Sequence, residues 1–171
     1  FIRTEQEFSL KSQPRTSATG TSLDYYDRIP WYQFGDLQLV DNECTMLNLH
    51  PGEKSEALMI NNFDFDLPEA SVIRGIEARM CGTTEGEGAI SDFRIYLVDN
   101  EGRKVGQNKA HKYLKGYPFE QESSIYDFWS YGSEYDLWGH DWTAAMINSD
   151  NFGLSIELQN RDNKAVTAML D

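Results

Sequence analysis

Basic residues, cysteine and histidine are all scarce in this chain, and each scarcity removes a class of function. Lysine and arginine total 15 against 28 aspartates and glutamates, a net charge of −13 at pH 7. A surface of that sign repels a phosphate backbone, so nucleic acid is not an expected partner. The three histidines, His50, His111 and His140, are widely spaced and fall into no metal pattern such as His-x-x-x-His. There is no Gly-x-Ser-x-Gly, no Walker loop and no Gly-x-Gly-x-x-Gly. No apolar run approaches the ~20 residues that span a bilayer, so no membrane insertion is expected.

The two cysteines are Cys44 and Cys81. In an acidic, Tyr/Trp-rich chain that opens at Phe1 rather than Met, the pair reads as one disulfide in an oxidising compartment, with the chain a processed form or a fragment. Two buried free thiols are the alternative. Cys44 lies in an apolar strand pattern, not in the electropositive setting that a catalytic thiolate needs. Acids are plentiful enough for a glycosidase pair, but none stands out on one strand face beside aromatics. Glu157, mid-strand, faces away from Phe152, Leu154 and Ile156 and reads as solvated. No enzyme is expected.

What the chain does have is short-period apolar alternation. Forty per cent apolar residues over 171 positions suit one globular domain with its own core. Residues 1–30 differ from the rest. Phe1 to Leu10 is a mixed segment whose apolar residues are Phe1, Ile2, Phe8 and Leu10, and Lys11 to Ser22 has linker composition. These residues read as an N-terminal arm, with residues 31–171 as the domain.

Strands are expected at Leu37–Val40, Cys44–Leu49, Ala57–Ile60 with Phe63–Phe65, Val72–Cys81 with a bulge at Gly75, and Ile90–Val98 with Phe93, Ile95 and Leu97 on one face. Asn100-Glu-Gly102 turns into Lys104–Ala110. Further strands fall near Ile125–Tyr131, at Phe152–Leu158 and at Val166–Leu170, the last stopping inside its own pattern. Thr143 is a candidate N-cap for a single helical turn. Many short strands with turn signals between them, and almost no helix, predict an all-β antiparallel sandwich of jelly-roll type.

The densest chemistry lies between Tyr131 and Thr143. Trp129, Tyr131, Trp138 and Trp142 could form a platform on which sugar rings stack, as in a carbohydrate-binding module. The competing reading has Trp138 and Trp142 plugging one end of the fold, each indole N–H meeting a loop carbonyl. Glu134, Asp136 and Asp141 in the same loop are hard oxygen donors, and calcium is the cofactor they would suit. Asp99-Asn-Glu-Gly102 offers similar oxygens, but its composition is that of a tight turn.

The tract Tyr131-Gly-Ser-x-x-Asp-Leu-Trp-Gly-x-x-Trp-Thr143, followed by Ile147-Asn148 and Asn151-Phe-Gly-Leu154, resembles jelly-roll-like domains of secreted bacterial repeat proteins and of phage or virion structural proteins. Leu67-Pro68 before Val72-Ile73-x-Gly-Ile76, and Asp92-Phe93-x-Ile-x-Leu97, are similar to elements of the same family. The resemblance spans residues 31–171 and implies a structural or adhesive role without catalytic residues. The expectation is therefore an extracellular structural subunit of a filament, lattice or virion-like assembly. Its partners would be copies of itself or other structural proteins, joined through sheet edges and the N-terminal arm. A polysaccharide, a mineral or a basic scaffold protein are the alternative partners for so acidic a chain.

Overall fold

The computed structural model describes residues 19–23, 27–32, 45–111 and 127–170. They form β1 (Thr19–Leu23), β2 (Thr45–Leu49), β3 (Ala57–Asn61), β4 (Ile76–Gly86), β5 (Ile90–Val98), β6 (Lys104–Val105), β7 (Asp127–Ser133), a single helical turn α1 (Ala144–Ile147), β8 (Gly153–Asn160) and β9 (Val166–Leu170). The fold is thus all-β with almost no helix. Among the described residues no helix is long and apolar enough to cross a membrane.

The strands lie in two antiparallel sheets, ordered β1-β3-β8-β5-β6 and β2-β9-β4-β7. The pairings are nested. β2 pairs with β9, β3 with β8, β4 with β7 and β5 with β6, and these rungs fall alternately in one sheet and the other. The pairs β4·β9 and β5·β8 then join the rungs within each sheet. β1 stands outside the nest, added to the free edge of β3.

Period-two alternation explains why the sheets form where they do. In β2 and β9 the buried positions Thr45, Leu47 and Leu49 face Leu170, Ala168 and Val166 across the ladder. β8 lies between β3 and β5, and all eight of its residues are buried, the outward Glu157 under the side chains of Arg28, Arg94 and Lys104. One hydrophobic cluster draws Leu47, Leu49, Met80, Val166 and Leu170 from the four-stranded sheet and Leu58, Ile95, Leu97, Leu154, Ile156 and Leu158 from the five-stranded one. Truncating a fully buried member such as Ile156 to alanine should cost about 2–5 kcal/mol.

Several expected boundaries move for physical reasons. Phe63–Phe65 is not a strand, because Asn62 (φ 62°) and Asp64 (φ 53°) turn the backbone left-handed; Phe65 instead packs edge-on against Phe152. β4 begins at Ile76, not Val72. Gly75 is no strand bulge but the point where the Ser133–Glu134 backbone approaches so closely that a Cβ would lie 2.3 Å from Glu134 C. β6 stops at Val105 and does not run to Ala110. Asn108 takes over the edge of β5, its Oδ1 accepting from Ile95 N–H at 2.9 Å and its Nδ2 donating to Phe93 O. In the linker-like stretch, residues 19–23 pair as β1. The helical turn is where the capping signal put it, with Thr143 Oγ1 accepting from Met146 N–H.

Candidate functional site

The most chemically loaded surface of the molecule lies on the outer face of β5 and β8. A bulge between Asp92 and Arg94 shifts the register of the β5·β8 ladder, so that Arg94 stands opposite Glu157 and Ile95 opposite Ile156. Phe93 is thereby taken off the core face where simple alternation places it. Its half-buried ring is surrounded by cations instead, with Lys54 Nζ 4.5 Å, Arg94 Cζ 4.7 Å and Arg28 Cζ 5.1 Å from its centroid.

Beside it, Glu157 is only 2% exposed. It does point away from the core, as alternation requires, but it is not solvated as the sequence suggested. Lys104 Nζ donates to Oε1 at 2.7 Å and Arg94 Nη1 to Oε2 at 3.4 Å. Arg28 Nη1 sits 4.0 Å from Oε2, close enough for an ion pair, yet is itself buried without a hydrogen bond among the described residues. The apolar stems of these long side chains cover the carboxylate while their heads neutralise it. A charge buried this way is tolerated only when paired. Three cations converge on one anion, and Lys54 adds a fourth positive charge with no acidic partner among the described residues, so the described part of this face carries surplus positive charge.

On the core side of β5, Asp92 is fully buried. Its Oδ2 accepts from His111 N–H at 2.7 Å and lies 3.5 Å from His111 Nδ1, while Oδ1 has no hydrogen-bond partner among the described residues. His111 in turn stacks on the buried ring of Tyr131, with centroids 5.1 Å apart.

The aromatic tract folds into an end closure. Trp138 is fully buried and donates its indole N–H to Ile76 O at 2.8 Å; Trp142 is 8% exposed and donates to Leu137 O at 3.0 Å. Trp142 also meets Phe152 and His140 edge-on. Trp138 holds φ 58°, a left-handed backbone that costs a bulky residue about 1–3 kcal/mol. Three contacts over-determine it. Asp136 Oδ1 accepts its backbone N–H, its carbonyl accepts from Gln107 N–H, and Gly132 leaves room for its indole. Of the four rings named as a sugar platform, Tyr131, Trp138 and Trp142 are therefore buried and already hydrogen-bonded or stacked, and the Trp129 side chain lies outside the described part. Tyr135, 76% exposed, is the open aromatic of this loop.

The acids of the same loop are placed separately. Among the described residues no group of three or more His, Cys, Asp or Glu is arranged to hold a metal ion, and Glu134, Asp136 and Asp141 make no such group. Asp136 is engaged with Lys109 at 2.7 Å. Burial pushes its carboxyl up, but the Lys109 ammonium and the Trp138 N–H outweigh this and hold it below the usual carboxylate range. Asp99 is a turn residue. Its Oδ1 accepts from Glu101 N–H and Arg103 N–H, and its Oδ2 from the Arg103 guanidinium at 2.8 and 3.0 Å. Burial again raises its pKa, and these donors together bring it below the ordinary value.

Cys44, and the arm residues Phe1, Ile2, Phe8 and Leu10, lie outside the described residues, and with Cys44 the proposed pairing to Cys81; no disulfide is formed among the described residues. The expected strand Leu37–Val40 is outside them too. Sequence reasoning missed the Phe93–Glu157 face altogether. A signal was present, since Glu157 is the lone charge in an otherwise uncharged strand, and a charge there must find partners. No known protein family, curated protein or solved structure matches this chain.

Proposed function

We propose that this chain is a non-enzymatic structural subunit built on a jelly-roll sandwich, joined to its neighbours through sheet edges and the N-terminal arm in an extracellular assembly. The nested pairing supports the fold reading. With β2 to β9 taken as strands one to eight, the sheets run 1-8-3-6 and 2-7-4-5, the order produced when one long antiparallel hairpin is rolled up into two facing sheets. It also agrees with the resemblance to secreted and virion structural domains carried by the Tyr131–Thr143 tract.

The observation that carries the functional reading is β1. The eight-stranded nest is complete without it, yet a short Thr/Gly/Ser strand from the N-terminal region docks along β3 over its whole length, Thr19 opposite Asn61 to Leu23 opposite Ala57. The β3 edge is thus built to accept an added strand. Among the described residues no strand pairs with the far side of β1 or with the far side of β7. Open edges of this kind are the usual route to strand addition between subunits.

Light scattering after size exclusion tests the proposal on the intact chain and on a chain beginning at Asp24, which lacks β1 and everything before it. Assemblies in the first and monomers in the second are expected. Equal mass for both would remove the arm and the β3 edge from the mechanism.

A further inference from the structure

We infer that the Phe93–Glu157 face is a docking surface for an acidic segment of a second copy of this chain, the segment that carries Asp64, Asp66 and Glu69. The inference rests on the self-assembly reading above and names a second contact within it.

The chain is poor in bases, yet it places Arg28, Lys54, Arg94 and Lys104 around one ring and one carboxylate. Structure alone accounts for part of this, since Glu157 needs a cation to be buried. Lys104, at 2.7 Å and in hydrogen-bonding geometry, meets most of that need. The remaining positive charge is left facing outward, with Arg94 47% exposed and Lys54 holding no acid among the described residues. An exposed cationic patch around a half-buried phenyl ring offers a carboxylate both charge and a partly desolvated setting, in which ion pairs are stronger than in open water.

The complement is on the same molecule. Between β3 and β4, Asp64, Asp66 and Glu69 are exposed and carry no ion pair among the described residues. The half-buried Phe63 and Phe65 alternate with them, and Phe65 is anchored on Phe152, so the acids project from a fixed ledge. Because the cationic face and the acidic ledge are different surfaces of one chain, their contact is head-to-tail, and such contacts propagate into rings or filaments. Long-range attraction between them also favours encounter over a net charge that otherwise keeps copies apart.

Charge reversal in both partners supplies the test, read by sedimentation velocity. One variant reverses the face (Lys54→Glu with Arg94→Glu), and the other reverses the ledge (Asp64→Lys, Asp66→Lys and Glu69→Lys). Each alone is expected to associate at least about tenfold more weakly than the native chain at low salt, and an equimolar mixture should recover association, since each variant then meets its opposite. Native association should also weaken between ionic strengths of about 0.01 M and about 1 M, as the Debye length falls from ~30 Å to ~3 Å. If circular dichroism shows the double face variant unfolded, Lys54→Glu, which breaks no ion pair among the described residues, carries the test alone. Native-like association of either variant, or a mixture that stays apart, overturns the inference. So does tight binding of heparin, the polyanion probe, by this face with no change in self-association. Loss of association on deleting β1 alone, with the charge-reversal pair behaving as expected in the intact chain, would separate this contact from the edge contact.

Discussion

The Trp138 end and the Glu157 face each bury a group that resists burial, and they do so by opposite means. At the Trp138 end the difficulty is conformational, and it is met by shape. Glycines clear space, a left-handed backbone is clamped by hydrogen bonds at both its N–H and its carbonyl, and each indole N–H finds a carbonyl. At the Glu157 face the difficulty is electrostatic, and it is met by charge, with long flexible cations folded over a carboxylate. The first arrangement is rigid, and solution conditions reach it only through the Asp136 carboxylate that accepts the Trp138 N–H. The second responds to salt and leaves positive charge unspent.

That contrast can be broken from either side. The largest loss is expected for Gly132→Ala. Gly132 has φ 75°, and a Cβ there would lie 2.4 Å from both Trp138 Nε1 and Ile76 O. Strain and overpacking together should cost about 3–5 kcal/mol in denaturant unfolding, by the same amount at low and high salt. Glu157→Ala should cost about 3 kcal/mol, because it strands cations against one another on a covered surface. Its deficit should shrink as salt is added, and a salt-independent deficit would mean that packing rather than charge dominates there.

Asp99→Asn should cost about 1–2 kcal/mol near neutral pH, trimmed by the exposure of Arg103. The folded pKa values of Asp99 and Asp136 lie below the usual value of about 3.9. Their contribution is therefore fully present above that pH and is lost as pH falls through the lower folded values. Thermal melts across that acid range should fall less steeply for Asp99→Asn than for the native chain; parallel slopes would show that the turn carboxylate contributes nothing through its charge. Smallest of all, Tyr135→Ala should stay within about 0.5 kcal/mol, since its ring is in solvent.

Much of the fold was legible because burial writes itself as alternation. Phe152 to Leu158 and Val166 to Leu170 marked β8 and β9, and Thr143 marked its helical turn through a capping preference that is local by nature. What alternation cannot report is a bulge without glycine or proline. Phe93 therefore changed faces unannounced, and with it went the location of the cationic patch. Nor does alternation say whether an outward residue is covered, which is why Glu157 read as solvated. Phe63 and Phe65 had the period of a strand and the backbone of a turn, because Asn62 and Asp64 tolerate positive φ. β1 was hidden for a different reason. Its Thr, Gly and Ser residues have linker composition, and only the waiting edge of β3 makes a strand of them.

The nested order of the rungs also dictates when this molecule can become itself. β8 lies between β3 and β5, and β9 between β2 and β4, so each sheet waits for a strand that comes after almost all its neighbours in the chain. The β5·β6 turn can close within microseconds, but the rung joining Thr45 to Leu170 must gather residues far apart in sequence. Such a topology folds slowly and nearly all at once. During synthesis β2 and β4 have no central strand between them until the last of these strands has been made, and for that interval their edges are open to any other chain nearby.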